Sequence, residues 1–207
     1  MTHEFDSGSY WQHRYVSGRD SGDGSYGKLA QFKAQFLNRF VSAEGITSVI
    51  ELGCGDGAQL ALAEYPLYIG ADISRAALDI CRRAFDEDLT KCFLAYNLAQ
   101  EIGKQELALS LDVIFHLVED GIFERYMRDL FAAASRFVII YSSDYEDLGA
   151  STHVRHRRFT RWAKAEAPDW QLIQHQKNPY AEKLDCQNTS FSDFFVYKHI
   201  PTRRNGR

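Results

Sequence analysis

Apolar residues recur along this chain at two periods, and segments of the two kinds alternate. Leu29, Phe32, Phe36, Leu37 and Phe40 lie three and four residues apart, which predicts a helix over residues 28–41 with one apolar face. Gly45 ends the connection, and residues 46–51 read as a buried strand. Residues 59–64 read as a helix that Pro66 stops. A second strand covers 67–71. Ser74 then caps a helix over 75–86 that turns Ala76, Ala77, Ile80, Cys81 and Ala84 inward. Further strands are expected at 92–96, 107–111 and 136–141. Between the last two, Ile122, Phe123, Tyr126, Met127, Leu130 and Phe131 mark another helix. Residues 170–175 and 194–198 have strand-like composition. Strands alternating with helices imply an α/β fold with a parallel sheet and right-handed crossovers.

The break after strand 46–51 reads Glu51-Leu52-Gly53-Cys54-Gly55-Asp56-Gly57. Glycines at alternate positions let the backbone turn sharply and leave no side chain between it and a ligand. Gly53-x-Gly55-x-x-Ala58 also fits the loose dinucleotide fingerprint. The charges argue against a pyrophosphate here, because Glu51 and Asp56 bracket the turn and like charges in a partly dry site repel. S-adenosylmethionine carries an ammonium, a sulfonium and no phosphate, and suits an acidic turn better. The second strand ends on Asp72-Ile73, where a ribose diol would be gripped.

Glu51 to Gly57, Asp72, and the stretch Leu109-Ser110-Leu111-Asp112-Val113-Ile114-Phe115-His116-Leu117 together resemble class I S-adenosylmethionine-dependent methyltransferases of the bacterial small-molecule type, over about residues 45–142. The resemblance implies a Rossmann-like three-layer sandwich whose seven-stranded, mostly parallel sheet finishes in an antiparallel hairpin. It implies S-adenosylmethionine as cofactor, S-adenosylhomocysteine as product, and no metal. The cofactor would lie against Glu51, Gly53, Cys54, Gly55, Asp72, Ile73, Ser110 and Leu111. Asn97 and Leu98 stand where the family often has an acid that accepts from the adenine amino group. Asn97 departs from that pattern, yet its amide oxygen can still accept; the plain alternative is a turn asparagine.

Residues 1–27 carry Tyr10, Trp11, Arg14, Tyr15 and Tyr26 among many glycines, which argue against a stable helix. Composition alone allows a disordered tail. The aromatics favour an arm folded over the cofactor site, ahead of a single domain over 28–207. Arg14 would then meet the cofactor carboxylate, or else be a surface cation.

Methyl transfer from a sulfonium is an in-line displacement that needs alignment and sometimes removal of a proton. His116 is the first candidate base, near the expected methyl position and with an ordinary pKa of roughly 6.5; its plainer role is a helix-start histidine bonded to backbone. Asp112 would line the cofactor or orient a substrate amine. Cys54 lacks a nearby base in sequence and is set aside as a nucleophile. His153, Arg155, His156, Arg157 and Arg158 form a basic run inside a candidate substrate lid over 144–169. It is either a solvated face or a holder of an anionic substrate group. Tyr15, Tyr141 and Tyr180 could add aromatic walls to a substrate site, with a core role the alternative for Tyr141.

The 207 residues suit one core, and 45% hydrophobic with 25% charged residues is ordinary for a globular chain. A net charge of −4 gives no global attraction to nucleic acid. Cys54, Cys81, Cys92 and Cys186 lack metal or disulfide spacing and read as reduced thiols in a cytoplasmic protein. The polar start and the absence of a long apolar run predict neither a secretory signal nor a membrane span. The expected partner is a small polar metabolite, anionic ones included, such as a sugar or sugar nucleotide. RNA or protein methylation, a nucleotide-binding oxidoreductase and a non-catalytic nucleoside-binding protein are the other readings, and the sequence leaves the oligomeric state open.

Overall fold

The computed structural model describes residues 5–147, 152–181 and 189–200. Its strands are β1 Ser48–Leu52, β2 Leu67–Asp72, β3 Lys91–Ala95, β4 Gln105–Leu111, β5 Ala134–Ser142, β6 Trp170–Gln176 and β7 Asp193–His199. Its helices are α1 Ser7–Val16, α2 Gly27–Glu44, α3 Arg75–Ala84, α4 Asp120–Ala132 and α5 Phe159–Glu166. The strands form one sheet in the order β3-β2-β1-β4-β5-β7-β6. The first five run parallel, and β7 is antiparallel to both β5 and β6. This is the mostly parallel, seven-stranded sandwich with a final antiparallel hairpin that the sequence implies.

Successive strand residues feed opposite cores, as a period of two requires. Val49, Leu107 and Phe137 pack toward Leu37 and Val41 of α2 and Leu78 and Cys81 of α3. Ile50, Ala108 and Val138 pack toward Met127 and Leu130 of α4 and Phe159 and Ala163 of α5. A sheet covered on both faces explains why its strands read as continuous apolar runs.

Four expectations change. Residues 7–16 are helical, although the arm's glycines argued against a helix. Asp6 caps α1 by accepting the Ser9 N–H at 2.7 Å, and the glycines beyond Gly8 begin only at Gly18, after the helix has ended. The helix expected over 59–64 shrinks to one 3₁₀ turn, Leu60–Leu62. Asn38 of α2 donates to the Leu62 carbonyl and accepts from the Glu64 N–H, which diverts both groups from a helical ladder. In α3 the buried residues are Ala77, Leu78 and Cys81, while Ala84 is exposed, because the helix ends there. Finally, much of the candidate lid is framework: Phe159 and Ala163 of α5 are fully buried in the second core. Residues 148–151 of that span, Cys186 and the basic end at 201–207 lie outside the described residues.

Candidate active site

The site gathers where β1, β2 and β4 end. Parallel register sets Glu51 beside Gly70 and Leu109, so the glycine turn, Asp72 and Asp112 all leave the sheet at one edge. Strand order reverses between β1 and β4, the place where open α/β sheets bind ligands.

The turn itself needs glycine. Gly53 has φ 85°, and a Cβ there would come within 2.6 Å of Val113. Gly55 has φ 58°, and a Cβ there would lie 2.8 Å from Tyr15 Oη. Left-handed backbone and close approach both exclude a side chain. The Gly55 N–H donates to Asp72 Oδ2 at 2.9 Å, and the Ser74 N–H donates to Oδ1 at 2.8 Å. Burial pushes the Asp72 carboxyl upward against those stabilising bonds. Glu51 is fully buried and accepts from Tyr68 Oη at 2.7 Å; burial, only partly offset by that bond and by Lys33, pushes it up to about 7.

A cavity of about 300 Å³ runs over this edge. Its lining includes Ile73, Tyr96, Ile122, Arg125 and Tyr126, Asp72 and the glycine turn, and Lys33, Glu51, Asp112 and His116. The arm covers it. Ser7 donates from N–H and Oγ to Glu119 at 2.8 and 2.7 Å. Tyr15 Oη shares a 3.0 Å bond with Ser21 Oγ, and Asp56 accepts from the Ser21 N–H at 2.9 Å and from Tyr26 Oη at 3.2 Å. Trp11 and Tyr15 line the cavity between these clasps. Asp56 is therefore turned to the arm, and the charge argument against a pyrophosphate rests on Glu51 and Asp72.

Asp112 is the one non-glycine among the described residues with positive φ, at 58°. Its carboxylate accepts from Lys33 Nζ at 2.7 Å and from Ser192 Oγ at 3.0 Å. His116 Nδ1 lies 3.0 Å from the His153 carbonyl. A carbonyl only accepts, so Nδ1 carries the proton and the lone pair of the neutral ring sits on Nε2. The ring meets Trp11 edge-on at 4.6 Å. Burial pulls the imidazole down to about 4, so it is neutral near pH 7. His116 is thus both backbone-bonded and part of the cavity wall.

The other sequence-derived candidates divide. Gly53, Cys54, Gly55, Ile73 and Leu111 line the cavity. Ser110 is fully buried and does not line it; its Oγ accepts from Tyr126 Oη at 2.7 Å. Asn97 and Leu98 are exposed on a 3₁₀ turn, and Tyr96 takes the place at the wall. Arg14 donates to the Asp20 carbonyl at 2.6 Å and does not line the cavity. Tyr141 is buried in the core, its hydroxyl accepting from Asn178 at 3.0 Å.

In the basic run, Arg155, His156, Arg157 and Arg158 do not line the cavity either. Arg155 donates to the Val118 carbonyl and pairs with Asp120 at 2.9 Å. Arg157 is buried, donates to the carbonyls of Leu117 and Val118, pairs with Asp120 at 3.0 Å and lies over the Phe123 ring. His156 is buried against Ser143 Oγ at 2.7 Å. Arg158 is exposed. Only His153 approaches the site, stacked between Tyr10 at 5.0 Å and His116 at 5.7 Å.

Sequence reasoning missed Lys33. The signal was present: Lys33 interrupts the stripe Leu29, Lys33, Leu37, Val41, whose other members are all buried. A lysine at a core position of an amphipathic helix calls for a buried acid, and Asp112 is that acid.

No family model matches the sequence, and no curated protein does. Solved structures do. The magnesium protoporphyrin IX methyltransferase ChlM from Synechocystis PCC 6803 with bound S-adenosylmethionine is 18% identical, with 96% of this chain and 100% of that chain covered at a TM-score of 0.67. The N-methyltransferase NodS from Bradyrhizobium japonicum WM9, in complex with S-adenosylhomocysteine, is 11% identical over 94% of this chain and 99% of that one, also at 0.67. The methyltransferase domain of bacterial CtHen1-C is 18% identical over 84% and 100%, at 0.66. At these identities the likeness is one of fold: the chain has the fold of class I S-adenosylmethionine-dependent methyltransferases.

Proposed function

We propose that this protein is a methyltransferase that uses S-adenosylmethionine to methylate a hydroxyl or amine of a small molecule. The observation that carries the reading is the single cavity joining Asp72, the acid-led glycine turn, and Asp112 with His116. The lining suits the cofactor. Asp72 keeps lone pairs for a ribose diol, and the open turn leaves room for the amino-acid end. Glu51 and Asp72 favour a cation over a pyrophosphate. When bound, the cofactor supplies an activated methyl carbon.

The chain's own residues then align and deprotonate. Asp112, held by Lys33 and Ser192, orients the acceptor at the end of β4. His116 Nε2 receives the acceptor's proton. A base pulled down to about 4 is a weak one, and it suits a proton released late, as the new bond to the methyl carbon forms. α1 with Trp11 and Tyr15 acts as the cover that excludes water, and the acceptor enters beside Trp11 and His153. The anionic-substrate reading loses its support from Arg155 and Arg157, which are tied to Asp120. RNA docking on the same run loses support for the same reason.

Calorimetric titration with S-adenosylmethionine, S-adenosylhomocysteine, NAD and NADP tests the cofactor. We expect binding of the two sulfur nucleosides alone. Asp72→Ala should weaken that binding by about 1–3 kcal/mol. Binding of a dinucleotide alone would sink the assignment.

A further inference from the structure

His116 has one ring nitrogen committed and one open. Nδ1 donates to the His153 carbonyl at 3.0 Å. Nε2 has no hydrogen-bond partner among the described residues and is not sealed from solvent, so it stays accessible on a ring that lines the cavity. A base needs this arrangement, because only the tautomer with its proton on Nδ1 leaves a lone pair on Nε2. A solvated imidazole exchanges between both tautomers, since water replaces the carbonyl as a partner. Whatever keeps water from the Nδ1 bond is therefore part of the base.

Two sides hold the ring. On the framework side, the Arg155 N–H donates to the Phe115 carbonyl at 2.8 Å, which ties the segment carrying the His153 carbonyl to the turn carrying His116. The other side is the arm. Trp11 meets the His116 ring at 4.6 Å and 65°, and Tyr10 stacks on His153 at 5.0 Å and 16°. Both rings belong to α1, and Ser7, one turn earlier, is anchored on Glu119 by two bonds. The arm thus lays aromatic surface on both partners of the Nδ1 bond. The charged and titratable groups acting on His116 are His153, Asp112 and Arg14. Asp112 is already paired with Lys33, and Arg14, itself on α1, disfavours a cation on the ring. Burial outweighs them all.

We infer that Trp11 is a positioning residue for the base: laid on His116 by the closed arm, it holds the imidazole dry and in the tautomer whose lone pair opens on the cavity, so that the base is complete only when the arm is closed. The inference rests on the reading of His116 as the proton acceptor. It gives α1 a role beyond that of a cover, because closure then assembles the site as well as shielding it.

Imidazole ¹⁵N NMR of histidine-labelled protein reads the tautomer directly, with His116→Gln identifying the signals. Near pH 6 the parent should show a neutral His116 with its proton on Nδ1 and a bare Nε2. In Trp11→Ala the two nitrogens should average toward each other, and the ring should become substantially protonated as its pKa returns from about 4 toward roughly 6.5. Trp11→Phe keeps an aromatic ring on His116 and should restore the parent's spectrum. His156, held by Ser143 Oγ, is the internal control, and its unchanged signal shows that the fold is intact. Glu119→Ala frees the first turn of the arm and should move the His116 signals the same way by less, which keeps the test alive if Trp11→Ala disturbs His156. A parent whose Nε2 carries the proton would overturn the reading of His116 as the base. A bare Nε2 in the parent that both alanine variants leave unmoved would overturn this inference and leave that reading standing.

Discussion

Two buried cations reach aspartates at either end of the β4–α4 connection, and they serve different sides of it. Lys33, 1% exposed, comes from the apolar stripe of α2 and ends on Asp112 inside the cavity. Arg157, 7% exposed, comes from the segment before α5 and ends on Asp120, with two of its bonds spent on the carbonyls of Leu117 and Val118. The first pair fixes a left-handed aspartate where the chemistry is proposed to occur. The second staples the loop that carries His116 to the framework behind it. By sequence, the arginine sits in a conspicuous basic run and the lysine is a single charge in a helix. The fold reverses that emphasis, because what a charge does depends on which wall of the site it faces.

The largest effect should come from Lys33→Met. It strands the Asp112 carboxylate with Ser192 as its remaining partner, and breaking a buried pair in this way costs about 3–5 kcal/mol. Asp112 is partly open to solvent, so the lower end is expected. Denaturant unfolding measures it. Lys33→Met with Asp112→Asn should recover most of the loss, since asparagine tolerates positive φ and no charge is left unpaired. If the double variant is as unstable as the single one, Lys33 acts by packing and the contrast with Arg157 weakens.

Titration sharpens the comparison, because burial governs the cavity side and pairing governs the other. Glu51, raised from 4.5 to about 7, contributes stability that is full below pH 4.5 and is lost as pH rises toward 7. His116, lowered from 6.5 to about 4, contributes stability that is full above pH 6.5 and is lost as pH falls toward 4. Between 4.5 and 6.5 the two slopes oppose each other, each worth up to about 3 kcal/mol. Relative to the parent, Glu51→Gln should therefore gain stability as pH rises from 4.5 to 7. His116→Phe should gain as pH falls from 6.5 to 4. Asp120, held low chiefly by Arg157, acts in more acidic solution and should not disturb that window. Parallel curves for the parent and both variants would mean that neither group is shifted.

The glycine-turn side of the cavity was legible because its signals are local. Gly53 and Gly55 are dictated by backbone geometry within a few residues, and Asp72 by its place at a strand end. The order of strands and helices followed from periodicity for the same reason. What was misread depends on distant partners. Asn38 decided that residues 59–64 would not be a helix, and Asp120 decided that Arg155 and Arg157 would face inward. Asp6 was a local signal for α1, but it was outweighed by glycines that belong to the next segment. Lys33 was readable in principle from the stripe it interrupts, yet the identity of its partner, 79 residues away, was not.

The smallest effects come from the basic run, and there the comparison can be broken outright. Arg157→Ala removes two backbone acceptors' donors, an ion pair and a contact with Phe123, and should cost about 2 kcal/mol. Arg158→Ala removes an exposed side chain and should stay within about 0.5 kcal/mol of the parent. Because the Arg157 bonds hold Leu117 and Val118, next to His116, the loss should appear as lower stability and slower turnover, with the Michaelis constant for the acceptor little changed. An anion-holding arginine would show the reverse: intact stability and a raised Michaelis constant. That outcome for Arg157→Ala, or any such rise for Arg158→Ala, would return the run to the substrate site and reverse the contrast between the two pairs.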